Sequence, residues 1–311
     1  MKTCLYCGHE SVDRSVFCSY CGSRFVTSKN EKKDSKWSIA GKIALYVALF
    51  FALQTVISIA IGLVGGIIVA IPNLNATPEE LTTKLDQFLS GTLPIVSLIT
   101  NVIYVLGISV FFGVRKKNPL KETSISKFPI WMLPLCAIFG YCVNPVISFL
   151  SAFIPWPNAV VEYFNSGTEE LVSGNFIITL ISISIVTGIV EEFLFRGIVI
   201  TRLRRVYGDV TAVMISAVIF AAVHLNPVSF IGIFLLAVFL GFLFIRTGSI
   251  VPGMIVHAFF NLFAILGYAS ENEVFILGFL SICIALSLGC GYLLLLKRKE
   301  KANDVISDVE S

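Results

Sequence analysis

Two adjacent carboxylates, Glu191 and Glu192, and a guanidinium, Arg196, lie inside an apolar run from Phe176 to Ile200 of this 311-residue chain. The run exceeds the ~20 residues that cross a bilayer. A charge at that depth costs at least ~2.5–3.5 kcal/mol on insertion scales, and such groups persist where they face a bundle interior and act there. Glu192 and Arg196 are four apart and can pair along one helix. Glu191 is rotated by ~100° from Glu192 and points elsewhere. The only histidines beyond the first 26 residues, His224 and His257, also lie in apolar runs, the second in His257-Ala-Phe-Phe-Asn261. His257 and Asn261 share a helix face.

One carboxylate, two imidazoles and an amide suit hydrolysis of an amide bond. A carboxyl group in a low dielectric is poised to act as a general base on water. An imidazole orients that water or carries the proton, and the His257/Asn261 pair can donate to a developing oxyanion. Glu191 is then the base, with Glu192 and Arg196 as a charge-neutral brace. A zinc ion held by Glu and two His is the competing arrangement, although the compact His-Glu-x-x-His spacing is absent. A plain polar contact between helices is the alternative for any one of these residues taken singly.

The elements that must position them are transmembrane helices. Hydrophobic residues make up 56% of the chain, charged residues 14%, and the mean hydropathy is +0.87, whereas soluble domains carry roughly 25% charge. The fold class is therefore an all-α polytopic membrane protein. Apolar runs predict about eight spans, at 41–71, 93–114, 129–154, 176–201, 210–225, 229–246, 249–267 and 274–296. Thr77-Pro78-Glu79-Glu80 reads as a helix start, followed by a short amphipathic helix on the membrane surface, with Leu81, Leu85, Phe88 and Leu89 on one face. This layout places 22 of the 23 lysines and arginines on one side, Lys84 excepted. The positive-inside rule makes that side the cytosol, with both termini there, in the cell membrane. No apolar stretch near Met1 resembles a cleavable signal. At ~1.5 Å per residue, Glu191 and Asn261 lie ~15 Å, His257 ~9 Å and His224 ~20 Å from the inner face. Packing of the fourth, fifth and seventh spans would bring them into one cavity.

Residues 1–26 carry Cys4-x2-Cys7-Gly8 and Cys18-x2-Cys21-Gly22. Two such knuckles suit a tetrahedral, structural zinc site, and the cytosolic placement disfavours the alternative of two disulfides. No basic stripe marks this ribbon for nucleic acid, and its partner is not readable. Residues 27–40 read as a polar linker. Cys136, Cys142, Cys283 and Cys290 read as small buried apolar residues.

Three motifs, Glu191-Glu192-x3-Arg196, Phe220-x3-His224 and His257-x3-Asn261, occur in the order and spacing found in the CPBP family, the CAAX protease and bacteriocin-processing (Abi) enzymes. The chain resembles that family over roughly residues 129–267. The ribbon, the two spans in 41–128, and the last span and tail in 268–311 lie outside. The resemblance implies a glutamate-dependent intramembrane endopeptidase without an active-site metal, acting on a membrane-associated peptide or protein within the bilayer. Glu191 would activate water with His224, and His257 and Asn261 would stabilise the oxyanion. Some relatives serve in immunity or resistance without catalysis, so a non-catalytic scaffold is the alternative. Replacing Cys4 and Cys7 together with serine is expected to remove about one zinc per chain, measured by elemental analysis of the purified protein.

Overall fold

A computed structural model describes residues 2–3, 10–11, 35–162, 165, 174–267 and 273–296. The four ribbon cysteines and most of the linker lie outside these residues. A two-residue antiparallel ladder pairs Lys2 with Ser11 and Thr3 with Glu10. The rest of the regular structure among the described residues is helical. In order come α1 (Lys36–Ala70), α2 (Pro78–Val114), α3 (Met132–Ser151), α4 (Phe176–Leu203), α5 (Asp209–Val223), α6 (Pro227–Thr247), α7 (Val251–Leu266) and α8 (Glu273–Leu295).

Six of these helices are long and apolar enough to cross a membrane; α5 and α7, with 15 and 16 residues, are shorter. The expected spans at 210–225 and 249–267 are present as helices but fall short of a full crossing, because local chemistry stops them. His224 caps α5 and Leu225 turns to φ 51°, after which the Asn226 side chain accepts from Ser229 N (3.0 Å) to start α6. Gly248 and Gly267, at φ 65° and 63°, bracket α7 in a conformation that glycine adopts without steric cost.

The start of α2 forms as its sequence dictates. Thr77 Oγ1 accepts from Glu80 N (3.3 Å), and Thr77 N donates to Glu80 Oε2 (3.0 Å). The separate surface helix does not form: α2 runs unbroken through Pro94 to Val114. Its first turns find a partner other than the membrane surface, since Phe88 and Leu89 pack on Gly65 and Gly62 of α1. Proline forfeits its own N–H in a helix interior, and here the helix continues past it.

Side chains from α1, α2, α4, α5 and α6 form one core around Tyr104, Phe112, Phe195 and Phe220. A second core joins α3, α6, α7 and α8 around Cys136, Phe139, Leu240 and Leu294. All four membrane cysteines are free and buried, as their apolar surroundings led one to expect. The short α7 is wedged between α3 and α4. Gly140 of α3 lies against the Val256 carbonyl, and Gly188 of α4 lies against Ala258. A Cβ at Gly140 would overlap that carbonyl, which is backbone and cannot swing aside. Gly140→Ala is expected to cost about 1–3 kcal/mol through overpacking, seen as a lower unfolding midpoint of the protein in detergent.

Candidate active site

Helix α4 carries both glutamates in an α-helical turn, 187–192, set between two π-wound stretches at 180–186 and 193–200. Such winding is rare and is often found at functional sites. The first stretch presents the Ile183 carbonyl to α7, where Asn261 Nδ2 donates to it (3.0 Å). Nearby, Ser184 Oγ donates to the Ala258 carbonyl (2.7 Å). These two bonds fix α7 against α4 about two turns before the carboxylates.

Glu192 is fully buried, and Arg196 is 1% exposed. Glu192 Oε1 accepts from Arg196 Nη1 at 2.6 Å and lies 3.0 Å from His257 Nδ1. Arg196 Nη2 donates to the Ala237 carbonyl of α6 (3.0 Å), and its guanidinium lies over the Phe220 ring at 5.0 Å. Gly253, one turn before His257, leaves room for Glu192: a Cβ there would meet Oε2 at 2.7 Å. Helix α7 thus presents Gly253, His257 and Asn261 at successive turns toward the site helix.

His257 sits between the two carboxylates, with Nε2 3.4 Å from Glu191 Oε2. Glu192 Oε1 already accepts from Arg196, so the His257 Nδ1 facing it is the donor. That fixes the tautomer and turns Nε2 toward Glu191. Glu191 and His257 therefore face each other at ion-pairing distance. The same Phe220 ring lies 4.7 Å from the His224 ring and 5.8 Å from the His257 ring. His224 Nδ1 lies 2.7 Å from the Phe220 carbonyl, an acceptor, which makes Nδ1 the protonated nitrogen and leaves Nε2 as the other.

A cavity of about 330 Å³ collects Glu191, His224, His257 and Asn261 on its lining. Glu192 and Arg196 lie behind it. The resemblance joined His224 to Glu191 through a water; the described residues show no direct hydrogen bond between the two side chains, and His257 Nε2 lies 3.4 Å from Glu191. Among the described residues, no group of three or more His, Cys, Asp and Glu side chains has a metal-holding arrangement.

Sequence reasoning missed the cavity's other wall. Phe50, Phe51 and Gln54 of α1 line it, as do Ser97, Thr100 and Asn101 of α2. A signal was present in Ser97-x3-Asn101, two polar residues four apart within an apolar span.

Residues 173–263 match the family model described as "Type II CAAX prenyl endopeptidase Rce1-like". The chain carries an Rce1-like domain. The matched segment holds all six polar site residues and spans α4 to most of α7, which makes this a membrane protein with a protease-family domain. The Rce1-like segment begins later than the 129–267 suggested by the motifs, so α3 lies outside it with α1, α2 and α8. No curated protein and no solved structure matches the chain.

Removing one partner of a buried ion pair strands the other. Glu192→Ala is expected to destabilise the protein by about 3–5 kcal/mol. Adding Arg196→Met should restore much of that loss, with both variants measured by reversible unfolding in micelles.

Proposed function

We propose that the chain is a glutamate-dependent intramembrane endopeptidase that hydrolyses a peptide bond of a membrane-associated peptide or protein. The observation that carries this reading is the placement of Glu191 on a membrane-depth cavity with an imidazole of fixed tautomer 3.4 Å away. Glu191 takes a proton from a water that His224 helps to orient. The resulting hydroxide attacks the scissile carbonyl carbon, and the carbonyl π electrons move onto oxygen. Asn261 spends one amide N–H on Ile183 and has a second for that oxyanion. Collapse of the tetrahedral intermediate breaks the C–N bond, and the proton held between Glu191 and His257 passes to the leaving amine. Glu192 and Arg196 act through His257 by holding its ring.

Both His257 nitrogens face carboxylates, an arrangement that supports a proton-sharing role over a ligand role. The positive-inside distribution supports a cytosolic position for both termini. The paired Cys-x2-Cys knuckles support a structural zinc in the ribbon, with a protein contact rather than nucleic acid as its partner.

The test uses the full chain in nanodiscs with an internally quenched, prenylated peptide ending in a CAAX sequence. Glu191→Gln keeps the side chain's shape and removes the base. Cleavage is expected to fall by at least ~100-fold with the unfolding midpoint retained; cleavage at the unchanged rate sinks the assignment.

A further inference from the structure

The cavity wall on α2 is polar in a way that helix packing does not require. Asn101 is 3% exposed and lines the cavity. Its Nδ2 donates to Thr187 Oγ1 (3.1 Å) and to Ser97 Oγ (3.3 Å). The amide's orientation is decided by Thr187. That hydroxyl spends its proton on the Ser182 carbonyl (2.9 Å), so toward Asn101 it can only accept. Both amide protons of Asn101 are thereby committed, and no described residue donates to Oδ1. Beside it, Thr100 is 1% exposed, and its hydroxyl has no hydrogen-bond partner among the described residues. Leaving a buried polar group unpaired costs about 1–3 kcal/mol. Asn101 Oδ1 is thus left without a donor from any described residue on the lining that also carries Glu191, and the buried Thr100 hydroxyl beside it stands unsatisfied.

We propose that Asn101 and Thr100 bind the main chain of the substrate beside the scissile bond, Asn101 Oδ1 accepting from a peptide N–H and the Thr100 hydroxyl pairing with a neighbouring peptide group. This rests on the peptidase reading and extends it to residues outside the Rce1-like segment. The physical need is specific to the membrane. A helical peptide satisfies its own backbone but hides its carbonyls from attack, whereas an unwound one exposes N–H and C=O groups that hydrocarbon cannot satisfy. Something in the cavity must pair with them. Ser97 and Thr187 serve as positioning residues that aim the amide and also tie α2 to the site helix.

The same prenylated peptide, in the full chain in nanodiscs, supplies the test. A set of analogues replaces one backbone amide at a time near the cut with an ester, deleting one N–H. In the wild-type chain one ester position is expected to raise KM by about 5–10-fold, the worth of a single hydrogen bond, with kcat little changed. Asn101→Leu should raise KM for the all-amide peptide to the same level, and the ester should then add nothing. Thr100→Val should raise KM while leaving the unfolding midpoint equal or higher. A wild-type chain indifferent to every ester overturns the proposal without reference to any variant. An ester penalty that persists in Asn101→Leu overturns it too. Either result alongside Glu191-dependent cleavage leaves the peptidase reading standing, and a chain that cuts none of these peptides overturns both.

Discussion

The structure turns on one buried ion pair. Glu192 and Arg196 are withdrawn from water almost completely, at a depth where neither charge would be tolerated alone. Their attraction barely offsets the desolvation of both groups in such a setting, and Glu192 Oε2 and Arg196 Nε lack partners among the described residues. The pair is better understood through what it fixes. Arg196 reaches the α6 backbone, Glu192 reaches His257 on α7, and the guanidinium covers a ring of α5. Four helices are referred to one electrostatic centre, and the orientation of an imidazole follows from it.

The sequence revealed the site far better than it revealed the site's walls. Charges in an apolar run are conspicuous because burial makes them expensive, so Glu191, Glu192 and Arg196 identified themselves. Spacing of four then tied Glu192 to Arg196 and His257 to Asn261 within single helices. Which imidazole meets Glu191 was not legible, since that depends on how α5 and α7 rotate about their axes. Depth estimates fix height and say nothing of rotation. Asn101 escaped notice for a related reason. A neutral amide in a span is commonly a contact between helices, and only its hydrogen-bond partners show that its acceptor is left over.

Helix limits show the same division. The N-terminal cap of α2 was written in Thr77 and Glu80, both local. Its continuation past Pro94 was not, because the partner of Phe88 is a glycine of another helix. The ends of α5 and α7 depend on single residues with positive φ, among them Leu225, a residue type that rarely takes that conformation.

The brevity of α5 and α7 reaches beyond the protein. At ~1.5 Å per residue they span ~23 Å, against ~30 Å of hydrocarbon. Where α5 faces lipid, the bilayer adapts to the shorter element at a cost of fractions of a kcal/mol for each ångström of mismatch. That adaptation brings headgroups and their hydration nearer to His224 at the end of α5, on the lining of the cavity. On the peptidase reading, the access of water to a cavity within the membrane is thereby tied to the thickness of the host bilayer.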